Sequence, residues 1–174
     1  RYVGAGLHTF ITETRAHGGL TMSDWLSGAV RYRISAGFDE WNGNARTASM
    51  AAAFEQRFSG DRIAVAADAA AFMPVSRGDG FQSAAVRADA RTSTARSGWV
   101  LAASAGATGV TARAPLALWP GAGDGHARPA LLRAHPLLEG AAIGGPAFGR
   151  VLIHGSGEVQ RWIGSTLPVR VAVL

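Results

Sequence analysis

The side chains that could carry out chemistry are few in this chain. None of its 174 residues is Cys or Lys, which excludes disulfides, thiolate nucleophiles, Schiff-base lysines and the lysine of a P-loop. His154, Ser156 and Glu158 share one face of a predicted strand, as a hydrolytic group would. Ser156 lacks the glycine two residues before it that a nucleophile elbow requires. A polar stripe along a strand therefore explains the three residues better than catalysis does.

Metal and cofactor sites are not predicted either. The five His residues show no metal-ligand spacing, and His17 is expected in a turn. The glycine-rich segment 121–125 lacks the ordered ligand spacing of a calcium loop. We therefore expect no catalytic residues, no metal, no cofactor and no enzymatic activity.

The positive charge of the chain does not indicate a nucleic-acid partner. The formal net charge is +5, and all 17 basic residues are Arg. These residues are scattered singly with acids close by, as Arg87 and Arg91 are around Asp89. Because a phosphate-binding surface needs a clustered basic face, we expect no nucleic acid to bind.

Alternation of apolar and polar residues is the main structural signal. In residues 26–39, Val30, Tyr32 and Ile34 lie on one parity and Arg31 and Arg33 on the other. Side chains alternate faces along a strand, so this pattern predicts a strand with one apolar and one polar face. Residues 81–94 repeat the pattern, and weaker copies lie at 2–15, 48–58, 62–73, 99–111, 147–163 and 167–174. The sequence predicts eight strands and no helix.

The lengths of the strands and connections favour a membrane barrel. The predicted strands have about 10–15 residues, and about 9–11 tilted residues cross a bilayer. Short turns at one end and longer loops at the other are typical of outer-membrane barrels. Tight turns are predicted at 59–61, 96–98 and 164–166, and longer connections at 40–45, 74–80 and 112–146. The segment 16–24 is predicted as a long connection at the short-turn end.

The tryptophans fit the same interpretation. Trp25 and Trp99 lie at predicted strand starts, and Trp41 and Trp162 lie at or just beyond strand ends. Aromatic rings at both membrane interfaces form the girdles of such barrels. No apolar run reaches the about 18–20 residues of a membrane helix.

The sequence thus predicts an all-β fold, an antiparallel transmembrane β-barrel of about eight strands. In a barrel the polar face would line a wet lumen in which oppositely charged side chains pair: Arg31, Arg33, Glu55, Asp68, Arg87 and Asp89. In a soluble β-sandwich the same residues would form the solvated outer face, and each Trp would be core or rim. Both interpretations stay open at this point.

A loop motif near the carboxyl end carries a family resemblance. The residues are Leu132, Arg133, Ala134, His135 and Pro136, followed by a glycine-containing stretch from 140 to 145 and a strand carrying Glu158. Over about 45 residues this pattern resembles the carboxy-terminal barrel of the BamA/TamA-like bacterial surface antigen superfamily. The motif departs from the family pattern at Ala134, where the family has Gly, and at His135, where it has an aromatic residue.

The resemblance implies a role for the motif. The loop would fold into the lumen, where Arg133 would pair with acids on the barrel wall. Glu158 would be one acid, and the second is expected beyond Leu174. Residues 1–174 would then be part of a larger barrel that continues beyond both ends.

The resemblance also implies a function at the bacterial outer membrane. The protein would assist insertion, assembly or translocation of other proteins. Its partners would be the lipid bilayer, client outer-membrane or secreted proteins, and periplasmic accessory domains or lipoproteins. Two alternatives are a small closed eight-stranded barrel with a structural or adhesive role, and a soluble β-sandwich binding module.

Overall fold

The computed structural model describes residues 2–4, 7–95, 97–121, 138–139, 142–143, 148–163 and 169–173. Within these residues the fold is all-β, as predicted, with one short 3-10 helix, Leu116–Leu118. The strands are β1 (Tyr2–Gly4), β2 (Leu7–Ile11), β3 (Arg15–Ser27), β4 (Val30–Trp41), β5 (Ala45–Phe58), β6 (Ile63–Pro74), β7 (Phe81–Arg91), β8 (Gly98–Val110), β9 (Leu138–Glu139), β10 (Ala142–Ile143), β11 (Val151–Ile163) and β12 (Val169–Val173).

One large antiparallel sheet dominates the fold. Its order is β12-β11-β8-β7-β6-β5-β4-β3, and β3 to β8 and β11 are its seven long strands. The sheet is open among the described residues, because no ladder joins the edge strands β3 and β12. A small second sheet has the order β2-β1-β10-β9. The antiparallel architecture is therefore established, whereas closure of the sheet into a barrel is not.

The amino-terminal strand assignment was wrong in two places. Residues 16–24, predicted as a connection, belong to β3, which pairs with β4 from Arg15↔Trp41 to Ser27↔Val30. Residues 2–15, predicted as one strand, contain the two short strands of the small sheet. The Gly18-Gly19 pair hid β3, because glycine interrupts the alternation that a strand signal needs. Pairing along the whole of β4 overrides that weak local preference.

The connections define two ends of the sheet. One end, called the Ser59 end, contains the connections 28–29, 59–62 and 92–97. The opposite end, called the Trp41 end, contains the connections 42–44 and 75–80 and the start of the segment 111–150, which leads to β11. With β3 extended to Ser27, the first turn at the Ser59 end has only two residues. The longer connection predicted at 40–45 is wrong, because β4 extends to Trp41 and β5 begins at Ala45, which leaves a turn of three residues. Asn42 and Gly43 have positive φ angles of 51° and 73°, as an Asn-Gly hairpin turn requires. The predicted turn at 164–166 lies outside the described residues.

The register separates the side chains into two faces. The apolar face contains rows such as Tyr32–Phe54–Ala67–Val86 and Ile34–Ala52–Ala69–Ala84. The polar face contains the rows Arg31–Glu55–Ala66–Arg87 and Arg33–Ala53–Asp68–Ala85. Large side chains of the apolar face are exposed, with Leu20 83 % and Ile153 79 % accessible. The predicted alternation is thus correct, and its apolar face is left without a cover among the described residues.

A compact core occupies the Trp41 end of the polar face. Trp41, Phe72, Phe81 and Ala114 are buried together. The Phe72 and Phe81 rings stack at 4.4 Å. The segment that carries Leu116–Leu118 packs against this cluster. The Glu13 carboxylate holds that segment by accepting the backbone N–H groups of Leu116 at 3.1 Å and Ala117 at 2.8 Å.

Candidate functional site

The polar face carries a band of ion pairs toward the Ser59 end. The Arg87 guanidinium donates to Asp89 at 2.7 and 3.0 Å. Arg57 donates to Glu55 at 2.6 Å and lies 3.8 Å from Asp61. In the Arg87–Asp89 and Arg57–Glu55 pairs the two residues are two apart on one strand, so alternation places both on the polar face, whereas Asp61 lies in the turn between β5 and β6. All six residues predicted to line the wet face lie on the polar face.

A trough of about 550 Å³ runs between the charged side chains of β5 and β7. Its lining includes Ala64 and Ala66 of β6, with Arg57 and Glu55 on one side and Arg87 on the other. The small side chains of β6 leave room above the sheet. The trough is therefore a space with charge of both signs on its walls, as suits water or a polar chain segment.

A second group lies at the Trp41 end, where Asp39 binds the edge strand. The Asp39 side chain is 0 % exposed. Its Oδ1 accepts from Arg15 Nε at 2.7 Å and lies 2.9 Å from His17 Nδ1. The Arg15 guanidinium also lies 5.0 Å from the centre of the Trp41 ring. The structure therefore corrects the prediction of His17 in a turn: it lies in β3, held by an acid of β4.

Glu158 lies on the polar face of β11, opposite Ala102. Its Oε1 is buried and has no hydrogen-bond partner among the described residues, and the same is true of Gln160 Oε1. Gln160 is 2 % exposed. Buried acceptors without donors cost free energy and normally have a functional or structural explanation. Sequence reasoning missed Gln160, although its position two residues after Glu158 places both on one face.

The loop motif that supported the family resemblance lies outside the residues that the structure describes. Its members are Leu132, Arg133, Ala134, His135 and Pro136. The pairing of Arg133 with Glu158 stays a prediction.

Three of the four tryptophans predicted for the girdle lie on the polar face. Trp41 is 4 % exposed in the core, and Trp25 lies beneath Arg31 and Arg57 at 5.8 and 4.9 Å. Trp162 shares the face of Glu158 and Gln160, since side chains alternate along β11. Only Trp99 lies on the apolar face, where it is 64 % exposed. Strand parity decides the face, so of the four predicted girdle residues Trp99 alone has the side-chain direction that the prediction requires, and its place in a girdle stays a prediction.

The candidate hydrolytic group shows no catalytic geometry. His154, Ser156 and Glu158 lie on one face as predicted, yet no hydrogen bond joins them in the part of the chain that the structure describes. The His154 ring instead covers Gly106, where an added Cβ would be 2.7 Å from Nε2. Among the described residues no group of His, Cys, Asp and Glu could hold a metal ion.

Comparisons with protein-family models, curated proteins and solved structures found no match for this chain. A search of the described residues found no helix long and apolar enough to cross a membrane.

Proposed function

We propose that this chain is part of the wall of a β-barrel in the bacterial outer membrane, where the barrel assists insertion, assembly or translocation of other proteins. The observation that carries the membrane part is the uncovered apolar face. Exposed apolar patches larger than a few hundred Å² mark binding or membrane surfaces. Here, exposed large apolar side chains occur on every long strand of the sheet.

The dimensions of the strands support a bilayer environment. The seven long strands have 11 to 14 residues, enough for the about 9–11 that cross a membrane. A soluble β-sandwich would bury the apolar face under a second sheet. The apolar face has no such cover among the described residues, so this alternative is disfavoured.

The polar face suits the inside of a barrel. Its charged groups pair with each other, as Arg87 does with Asp89 and Arg57 with Glu55. Outer-membrane barrels alternate apolar residues toward lipid and polar residues toward the lumen. Closure of the sheet would also remove the two open edges, which are costly in lipid.

The assembly function is proposed from the loop motif and from the edge of the sheet. β3 pairs only with β4 among the described residues, so its second edge offers backbone groups to an incoming strand. Glu158 Oε1 is buried and has no hydrogen-bond partner among the described residues, which supports a donor from the loop, and we propose that this donor is Arg133. A guanidinium bound by this half-buried carboxylate would hold the loop in the lumen.

The test is assisted folding into vesicles. The client is a small outer-membrane barrel unfolded in urea. It should fold faster in vesicles that contain the protein than in empty vesicles of the same lipid. An equal rate would refute the assembly function and leave the second candidate, a closed eight-stranded structural barrel, which the eight strands of the sheet favour. A protein that is monodisperse in plain buffer would refute both.

A further inference from the structure

The two strands of the β3–β4 hairpin can separate more easily at one end than at the other. Its turn, residues 28–29, lies at the Ser59 end, so its open end lies at the Trp41 end. All 13 residues of β3 are exposed, and β3 pairs with no strand except β4 in the described part of the chain. We expect β3 to separate from β4 first at the end without a turn, because the last backbone hydrogen bonds of a strand pair open at little free-energy cost.

The Asp39 group lies at this open end. The Asp39 carboxylate is buried beneath Arg15 and His17, the first and third residues of β3. Arg15 Nη2 lies 2.6 Å from Asp39 Oδ1, so two nitrogens of the guanidinium meet the same oxygen. Just before β3, the amide of Asn42 donates to Thr14 O at 3.0 Å, and the Glu13 carboxylate accepts the backbone N–H groups of Leu116 and Ala117.

The rest of β3 has weaker side-chain attachments to its neighbours. Thr21 donates to Ser35 at 3.1 Å in an exposed position. Trp25, where the register shifts in a bulge, contacts its neighbours through cation–π geometry. Gly18 and Gly19 contribute no side chain. The short charged contacts of β3 to the sheet are thus concentrated at its open end.

The His17 ring lies against Gly37, where the absence of a side chain leaves room for it. A Cβ on Gly37 would lie 2.9 Å from His17 Cε1 and 2.9 Å from the carbonyl oxygen of Gly18. A side chain at position 37 would therefore displace the imidazole or the strand. Asp39 Oδ2 is buried and has no hydrogen-bond partner within the described part of the chain, so the carboxylate depends there on the donors at Oδ1. Breaking a buried ion pair by removing one partner is far more costly than losing an exposed one.

We propose that Asp39, Arg15 and His17 form a latch on the edge strand. With the latch closed, β3 stays on β4. With the latch open, β3 peels away from its Arg15 end, so that an incoming strand would pair with the freed edge of β4 instead of the second edge of β3. This proposal deepens the proposed function, because it specifies which end of the edge opens and which residues hold it.

Hydrogen exchange followed by mass spectrometry tests the latch on the full chain in detergent micelles. Asp39→Ala should raise the exchange of the β3 amides bonded to β4 between Arg15 and Thr21 by about tenfold or more, with β6 and β7 unchanged. The matched control is Glu40→Gln, which removes an acid beside Asp39 on the other face, where Glu40 pairs with exposed Arg46 at 2.9 Å. The control should leave β3 unchanged.

If Asp39→Ala does not fold, Arg15→Gln decides the question, since it removes one donor from an exposed edge. A uniform rise across all strands, or equal exchange in variant and control, would overturn the latch. Exchange is measured without a client protein. A localised response without accelerated client folding would therefore refute the assembly function and leave the latch standing.

Discussion

Val86→Arg is the substitution that most sharply tests the membrane environment. Val86 is 55 % exposed on the apolar face and lies midway along β7, five residues from Phe81 and five from Arg91. Five residues at about 3.3 Å each span roughly 16 Å. At a tilt of about 40° this is roughly 12–13 Å along the membrane normal, half of an apolar band of about 25 Å. Val86 should therefore lie at the bilayer midplane.

The expected cost follows from that depth. An arginine on the lipid face at the midplane destabilises a barrel by about 2–4 kcal/mol, and by about 0–1 kcal/mol near the interface. Val86→Arg should thus lower the folding equilibrium constant by about 30- to 700-fold. In water, an exposed substitution of this kind changes stability by about 0.5 kcal/mol or less.

The assay is reversible urea unfolding in lipid vesicles. Ala90→Arg is the matched control, because Ala90 is on the same face of β7 and one residue from its end. The two variants should differ by at least about 1 kcal/mol, as the two depths imply. Equal stabilities would refute a lipid environment for the apolar face.

Three further variants test other parts of the structure. Arg133→Ala should lower both thermal stability and client folding in vesicles, whereas Arg128→Ala in the same loop should change neither. Gly106→Ala should cost about 1–3 kcal/mol of unfolding free energy, because its Cβ would overlap a backbone carbonyl and an imidazole; Gly157→Ala, with nothing within 4 Å, is the near-neutral control. Glu13→Ala should cost about 1–3 kcal/mol by removing the acceptor of two backbone N–H groups, measured by urea unfolding.

Each of these has a contradicting result. Equal behaviour of the two arginine variants would remove the proposed lock. A glycine variant at 106 as stable as its control would mean that the His154 ring and the Val86 carbonyl both shift to admit the Cβ. Unchanged stability without Glu13 would mean that other contacts hold the Leu116–Leu118 segment.

The alternating pattern was enough to predict the strands from β4 to β8 and β11 approximately. Strand parity is a local property, because successive side chains point to opposite faces whatever the partner strand is. For the same reason, Arg31, Glu55 and Asp89 could be assigned to one polar face before any pairing was known. β3 was missed because its glycine pair weakens the local signal, and only pairing with β4 shows it.

The amino-acid sequence by itself therefore determined the all-β class and the two-faced character of the strands. Tertiary structure decided which strand is the edge, that Asp39 is buried beneath Arg15 and His17, and that Gln160 is buried. It also moved Trp25 and Trp41 to the polar face. The physical reason is that burial and partnership depend on which strands become neighbours, and residues 24 apart, such as Arg15 and Asp39, meet only through the register of the sheet.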